Sequence, residues 1–158
     1  MTTIIAYEPL YFNDLMAYDL DEEQAEFSRI PAQVLTDPKM MTNQHFHHCI
    51  LFDGKVVGFF TLDFSDERLT YSSNKDAVLL RSLSINPAFQ GKGIAKSVML
   101  QLPDWVKTHF PRANEIVFGV NIRNKNAYEL YLKTGYSDSG NIYEGKKGPQ
   151  NLMFKTLL

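Results

Sequence analysis

Cysteine is nearly absent from this sequence: Cys49 is the only one. A single cysteine cannot form an intramolecular disulfide, which excludes the disulfide-stapled folds of small secreted proteins. Long apolar runs are absent too, and none approaches the roughly 20 residues that a membrane-spanning helix needs. Residues 1–5 lack the basic segment and the apolar stretch of a secretory signal. We therefore expect a cytoplasmic protein that does not bind membranes.

An excess of one charge is also missing. The 158 residues include 16 lysines and arginines and 18 aspartates and glutamates, which gives a formal net charge of −2. Proteins whose main ligand is DNA or RNA usually carry a surplus of basic residues, so nucleic acid is not an expected partner. Internal repeats, low-complexity tracts and proline-rich linkers are absent as well. Because a chain of this length can bury one sizeable core, the sequence predicts a single domain over residues 1–158.

A strand followed by a glycine turn is the most informative feature that the sequence does contain. Residues 77–85 form an apolar run typical of a buried strand, and Pro87 ends it because proline has no N–H to donate to a sheet. The turn Gln-Gly-Lys-Gly-Ile-Ala occupies residues 90–95, and the apolar periodicity that starts at Ile94 predicts a helix. Small residues at this junction expose the first N–H groups of the helix, which favour a bound phosphate.

The spacing of the glycines decides which phosphate ligands fit. A Walker loop needs Gly-x-x-x-x-Gly-Lys-Ser/Thr and a dinucleotide fold needs Gly-x-Gly-x-x-Gly, and this turn matches neither. Gln90, Gly93 and Ala95 fit the pattern Arg/Gln-x-x-Gly-x-Gly/Ala instead. In this the turn resembles the pyrophosphate loop of the GNAT superfamily of acyl-CoA N-acyltransferases. Six residues alone are equally compatible with a turn that binds nothing.

A hairpin is predicted ahead of the central strand. Two apolar runs, residues 47–52 and 55–62, are joined by Asp53 and Gly54, a pair that accepts the positive φ angles of a tight turn. Three histidines lie beside or within the first run and raise the question of a metal site. Neighbouring strand residues point to opposite faces, and no matching carboxylates or cysteines accompany them. We expect structural roles for these histidines, which are His45, His47 and His48.

The remaining patterns alternate helices with strands. Pro31 is expected to end or interrupt the first helix, and Pro103 to kink the helix after the glycine turn or to start a second segment. The helix between the strands at residues 77–85 and 115–120 forms a crossover, so these strands run parallel. Further strands are predicted at residues 3–7, 136–144 and 151–157, and helices at residues 13–27, 94–110 and 125–134. The predicted fold is α+β, an α/β sandwich with a mixed sheet of six or seven strands.

A second segment matches the same family. Residues 124–136, Asn-Lys-Asn-Ala-Tyr-Glu-Leu-Tyr-Leu-Lys-Thr-Gly-Tyr, resemble the family pattern Asn-x-x-Ala…Leu-Tyr-x-x-x-Gly-Phe, with Tyr136 in place of phenylalanine. Two motifs in the family's order are far more specific than either alone. The resemblance covers residues 46–136 well and the N-terminal helices only loosely. It implies a mostly antiparallel sheet whose parallel central pair splays apart, with helices on both faces.

The resemblance also implies an activity: an N-acetyltransferase that moves the acetyl group of acetyl-CoA to a primary amine of a small molecule or peptide by direct attack, without a metal. Pantetheine would lie between the splayed strands, and Tyr131 would protonate the CoA thiolate. Since relatives are often dimers, a homodimer is an expectation. The cofactor-binding residues would be Leu83, Ser84, Ile85, Gln90, Gly91, Lys92, Gly93, Ile94, Ala95, Lys96 and Asn124. A non-catalytic acyl-CoA sensor and an interaction module without CoA are the alternatives.

The general base does not carry over from the family. Arg81 stands where many relatives have a glutamate, and a guanidinium stays protonated. We expect a water-relayed base, and the alternative is one carboxylate among Glu26, Asp63, Asp66 and Glu67. Arg81 either binds a substrate carboxylate or pairs with an acidic neighbour.

The acceptor is the least defined part of the prediction. The acidic cluster at residues 19–26 is either a solvated helix face or an attraction for a cationic amine. It favours a polyamine or an aminoglycoside, whereas Arg81 favours an amine that also carries a carboxylate. A small primary amine is the common expectation.

Overall fold

One mixed sheet of seven strands forms the centre of the molecule. The computed structural model describes residues 1–158 except the side chain of Glu23. The strand order is β1-β2-β3-β4-β5-β7-β6, and only β4 and β5 run parallel among neighbours. The predicted fold is thus confirmed. The strands are β1 Thr2–Ala6, β2 His45–Phe52, β3 Lys55–Asp63, β4 Ala77–Ile85, β5 Glu115–Asn121, β6 Ser137–Gly145 and β7 Gly148–Thr156.

Helices cover both faces of this sheet because neighbouring strand residues point to opposite sides. On β3, Phe60 packs into the core under the helix that follows the glycine turn, whereas Phe59 packs with Leu15 and Val34 on the other face. None of the described helices combines the length and apolar composition that crossing a membrane requires. The α-helices are α1 Phe12–Met16, α2 Glu22–Ala25, α3 Pro31–Leu35, α4 Ile94–His109 and α5 Lys125–Lys133.

The prediction of a single N-terminal helix over residues 13–27 is wrong. The chain forms the two short helices α1 and α2 because Asp21 has an extended backbone (φ −67°, ψ 168°) and caps α2, accepting the N–H of Gln24 at 2.9 Å. Pro31 begins α3 instead of ending a helix. At the first helical position its missing N–H costs nothing, since that group would have no partner within the helix.

Helix α4 continues through Pro103 for 16 residues, so the predicted start of a second segment is wrong. Pro103 cannot donate to the carbonyl of Met99 one turn earlier. The hydroxyl of Tyr136 donates to that carbonyl instead, at 2.9 Å. The tyrosine that replaces the family's phenylalanine therefore has a partner that the proline leaves open.

The predicted splay of β4 from β5 is present. The two strands pair at only three positions, which end at Leu79↔Val117, and beyond Leu79 they separate. On its other edge β4 bulges against β3, where Ser82 has a φ of 59°. The backbone of β4 from residue 80 onward therefore borders an opening in the middle of the sheet.

The histidines near the hairpin have protein partners. His48 stacks on Phe60 and lies in the core, where burial lowers its pKa to about 4. Its Nδ1 lies 2.9 Å from the carbonyl of Phe46, and its Nε2 accepts the indole N–H of Trp105 at 3.1 Å. His47 lies on the opposite face, between Thr61 and the Met40 carbonyl. Within the described residues no group of three metal-ligating side chains occurs.

Candidate functional site

A cleft of about 400 Å³ opens beside β4 where β5 has separated. Seven predicted site residues line it together, although they belong to β4, the glycine turn and α5. The opposite wall comes from the N-terminal segment at residues 20–28, which carries neither of the two family motifs. The seven predicted residues are Leu83, Ser84, Ile85, Gln90, Ala95, Asn124 and Tyr131.

The other predicted residues form the exposed end of the glycine turn. Gly91 and Gly93 have φ angles of 77° and 75°, and a Cβ at either would meet nothing within 4 Å. Glycine is therefore favoured there by backbone conformation and not by space. Lys92 and Lys96 are exposed beside it. The side chain of Ile94 is buried in the core, so Ile94 can offer a ligand only its main-chain N–H.

Two carbonyls of β4 that border the cleft already accept weak hydrogen bonds. The hydroxyl of Ser28 lies 3.3 Å from the Leu83 carbonyl, and the side-chain amide of Gln90 lies 3.3 Å from the Ile85 carbonyl. Ser84 is buried, and its hydroxyl hydrogen-bonds that of Tyr18 at 3.0 Å. The N-terminal segment is thus attached to the strand that was predicted to bind pantetheine.

Helix α5 places Tyr131 at the opening in the sheet. Asn124 caps this helix, its side-chain oxygen accepting the N–H of Ala127, which leaves the amide NH2 of Asn124 for a ligand. The ring of Tyr131 packs edge-on against Phe118 with centroids 4.8 Å apart. Burial raises the pKa of Tyr131 to about 12, so its hydroxyl keeps its proton at neutral pH.

A gap of about 110 Å³ lies between this cleft and a second space and shares lining residues with both. The gap shares Leu83, Asn124 and Tyr131 with the cleft. It shares Arg81 and Ser82 with a larger polar cavity of about 680 Å³ on the other side. Two cavities therefore meet at the bulge of β4, next to Tyr131.

The protein family follows from comparison with known proteins. A model described as "Acetyltransferase (GNAT) family" matches residues 11–136. The chain belongs to this family. Its GNAT relatives include YbbJ of Bacillus subtilis (strain 168), an uncharacterised N-acetyltransferase that is 37% identical over 148 residues, 93% of this chain and 92% of YbbJ. An uncharacterised N-acetyltransferase of Mycobacterium tuberculosis is 30% identical over 115 residues, 69% of this chain and 60% of that protein.

Solved GNAT structures share the whole fold at low sequence identity. Spermidine N-acetyltransferase from Vibrio cholerae, in complex with CoA and spermine, matches with a TM-score of 0.75 and 17% identity over 99% of this chain and 95% of that chain. Aminoglycoside acetyltransferase AAC(6')-Ib, in complex with CoA and kanamycin, matches with a TM-score of 0.79 and 16% identity over 99% and 95%. The protein is an acyl-CoA N-acetyltransferase of the GNAT type.

Arg81, which replaces the glutamate of many GNAT enzymes, pairs with acidic neighbours. Its Nη1 donates to Asp63 at 2.8 Å and also to Glu67. Burial opposes the charge of Arg81, but these bonds outweigh burial and raise its pKa. The ion-pair interpretation of Arg81 is therefore confirmed.

The four candidate carboxylate bases are differently placed. Asp63 is fully buried; burial opposes its ionisation, but hydrogen bonds from Ser65 and Arg81 outweigh this and lower its pKa. Glu26 pairs with Arg123 at 3.5 Å, and Asp66 pairs with Arg68 at 3.6 Å. Among the carboxylates that the structure describes, Glu67 is the one of these four that lines the polar cavity.

The acidic cluster contributes none of its described side chains to the wall of that cavity. Asp21 lines the cleft beside Tyr131, where it caps α2. Glu26 forms its ion pair with Arg123, and the side chain of Glu23 lies outside the described residues. The hypothesis that this cluster attracts a cationic acceptor therefore finds no support in the lining of the polar cavity.

Proposed function

We propose that the protein transfers the acetyl group of acetyl-CoA to a small primary amine by direct attack of the amine on the thioester. The meeting of two cavities at the β4 bulge carries this proposal. Each cavity takes one substrate, and the connecting gap lets their reacting atoms approach. The solved relatives crystallised with CoA, spermine or kanamycin support a CoA donor and an amine acceptor.

The acyl end of the donor would occupy the 400 Å³ cleft. Pantetheine would lie along the open edge of β4, with main-chain groups of residues 83–85 as its partners and the side chains of Ala127 and Leu130 as apolar walls. The pyrophosphate would lie on the turn at residues 90–96, where the first N–H groups of α4 and two lysines favour phosphate. A ligand here competes with the weak bonds that the Leu83 and Ile85 carbonyls now accept.

The chemistry makes three demands on the gap. The amine must lose a proton before it attacks, since an alkylammonium has a pKa of about 10.4 in water. We assign this step to water in the polar cavity, without one dedicated side chain. The oxyanion of the tetrahedral intermediate would accept a hydrogen bond from a main-chain N–H at the bulge of Ser82 and Leu83. Tyr131 would give its proton to the departing thiolate.

A thiol-release assay tests the proposed function. Wild type and Tyr131→Phe are supplied with acetyl-CoA and a panel of polyamines, aminoglycosides, amino acids and lysine peptides. We expect amine-dependent release that falls about a hundredfold in the variant, the lower end of the effect of general acids. Undiminished release by Tyr131→Phe would remove Tyr131 from the mechanism. CoA binding without release by any amine would favour a non-catalytic sensor.

The water-relayed base has its own test at Glu67, the one of the four candidate bases that lines the polar cavity. Glu67→Gln keeps the size of the side chain and removes its basicity. We expect at most a few-fold loss of kcat if water carries the proton to solvent. A variant that is inactive at neutral pH and recovers at high pH would assign the base to Glu67.

A further inference from the structure

The polar cavity carries more positive than negative charge. Its wall contains four cationic side chains and two carboxylates. Both carboxylates already pair with arginines: Asp37 binds Arg29 at 3.2 Å, and Glu67 binds Arg81. The buried Asp63 behind Arg81 adds one more negative charge, which still leaves the wall cationic. The four cations are Arg29, Arg81, Lys146 and Lys147.

The two lysines occupy a turn that is held over the cavity. They connect β6 to β7 between the paired residues Gly145 and Gly148. The carbonyl of Lys147 accepts a hydrogen bond from the side-chain amide of Asn121 at 2.8 Å. The ammonium group of Lys147 donates a hydrogen bond to the carbonyl of Ala25, also at 2.8 Å. The Lys146 side chain is exposed and forms no ion pair with any side chain that the structure describes. Its charge is available to a ligand.

Arg81 retains donors for the same ligand. Both of its carboxylate partners bind Nη1, and within the described residues Nη2 and Nε make no hydrogen bond. The guanidinium is planar and its donors point in fixed directions, so the remaining edge suits a carboxylate or phosphate. Asp63 and Glu67 hold this edge in place at the gap end of the cavity.

A polycation is a poor fit to these surroundings. Every further ammonium group would meet the surplus of positive charge, and the carboxylates that could offset it are engaged by arginines. We propose that the acceptor is a primary amine that also carries a carboxylate or a phosphate. Lys146 and Lys147 bind the anionic group, Arg81 donates to it from the gap side, and the amine points to the gap. This inference rests on the proposed function, because it specifies the acceptor of that reaction.

Matched pairs of amines test the inference on the full chain with acetyl-CoA. Lysine against cadaverine differs by a carboxylate, and phosphoethanolamine against ethanolamine differs by a phosphate. We expect kcat/KM to be at least about tenfold higher for the anionic member of one pair, the scale of a single favourable charge contact. The pair that shows the larger ratio identifies carboxylate or phosphate. Spermidine and kanamycin complete the panel as polycations.

Substitutions at Lys146 connect that preference to the turn. Lys146→Ala should raise KM for the preferred anionic amine about tenfold with a smaller change in kcat, and Lys146→Glu should move the preference toward the cationic partner. Lys107→Ala is the matched control, since Lys107 is an exposed lysine in the last turn of α4, away from the cavity wall. It should leave both constants unchanged.

The outcomes separate this inference from the proposed function. Equal or better turnover of cadaverine, ethanolamine, spermidine or kanamycin overturns the anionic acceptor and leaves acetyl transfer standing. Acetylation of cationic amines together with no acetylation of either anionic amine has the same meaning, whereas CoA binding by thermal shift without acetylation of any amine overturns both the acceptor and acetyl transfer. Unchanged KM values in both Lys146 variants overturn the role of the turn. Failure to bind CoA at all would overturn the proposed function itself.

Discussion

Tyr136 and Pro103 complement each other within the core. The proline removes an N–H from α4, and the buried tyrosine hydroxyl donates to the carbonyl of Met99 that is left without it, at 2.9 Å. The sequence shows both residues as departures, a proline inside a helix and a tyrosine in the place of phenylalanine. It cannot connect them, because the contact depends on how α4 packs beside the last residues of the family motif.

A double-mutant cycle tests this relation. Tyr136→Phe should lower the free energy of unfolding by about 1 to 2 kcal/mol, since it leaves a buried carbonyl without a donor. In a Pro103→Ala background the new N–H can bond Met99 within the helix, so the same substitution should cost much less. Urea denaturation measures all four proteins. Equal costs in the two backgrounds would contradict the relation.

The pKa of Tyr131 sets the direction of the pH dependence. Because burial raises this pKa to about 12, the hydroxyl stays protonated while an alkylamine, with a pKa of about 10.4, loses its proton as the pH rises. We expect kcat/KM to increase from about pH 6 to about pH 9 with no alkaline fall due to Tyr131. A fall that is present in wild type and lost in Tyr131→Phe would contradict this expectation.

Tyr128 provides the control for that profile. It lies on the same helix, and its hydroxyl donates to Asp138 at 2.8 Å, outside the three cavities. Tyr128→Phe should therefore keep both the rate and the pH profile of the wild type.

At the level of elements, the turn at residues 90–95 and the start of α4 form one unit. The left-handed backbone at Gly91 and Gly93 directs the chain from β4 into the helix, and Lys92 and Lys96 project from it into solvent. The lysines do not line the cleft in which the thioester would lie. Their contribution should be confined to the phosphate end of the donor.

Two acetyl donors, one with and one without the pyrophosphate, can isolate the contribution of these lysines to donor binding. The double variant Lys92→Ala, Lys96→Ala should raise KM for acetyl-CoA about tenfold or more, with a strong dependence on salt. It should leave KM for S-acetylpantetheine, which lacks the pyrophosphate, near the wild-type value. Lys133→Ala, at the last turn of α5, serves as a control. An equal loss with both donors would contradict the assignment.

Elements with strong local signals were predictable from the sequence. The Asp53-Gly54 hairpin and the capped helix α5 each depend on residues next to one another in the chain, and the crossover around α4 follows from the order strand, helix, strand. The N-terminal segment was not predictable, since Asp21 starts a helix inside the one predicted over residues 13–27 and Pro31 starts a helix where it was expected to end or interrupt one. Whether such a residue starts, interrupts or ends a helix depends on which backbone conformation the tertiary structure stabilises.

The whole molecule presents two cavities that meet in the middle of one sheet. The donor side could be inferred from two motifs that lie close together in the sequence. The polar side could not, because residues near positions 28, 81, 119 and 146 meet there only through the order of the strands. The surplus of positive charge arises because cationic residues from distant parts of the sequence line the same cavity. The net charge of the whole chain, −2, gives no indication of it.

Direct transfer predicts a kinetic pattern for the whole enzyme. Cys49 is the one thiol in the sequence; it is fully buried on the face of α1 and α3, and burial raises its pKa to about 12. Cys49→Ala should keep kcat within about twofold, because this thiol is not poised to form an acyl intermediate. Initial rates at varied acetyl-CoA and amine should give intersecting lines. Parallel lines would indicate a covalent intermediate and contradict direct attack.

The early separation of β4 from β5 has a consequence for the apparent rigidity of the sheet. The central strand of a buried sheet is normally the segment whose amide hydrogens exchange most slowly with solvent. Here, beyond three residue pairs, the amides of β4 that face away from β3 have no strand opposite them. Beyond Leu79, β4 should therefore be less protected from hydrogen exchange than its neighbours β3 and β5, although it lies at the centre of the sheet, until a ligand occupies the gap.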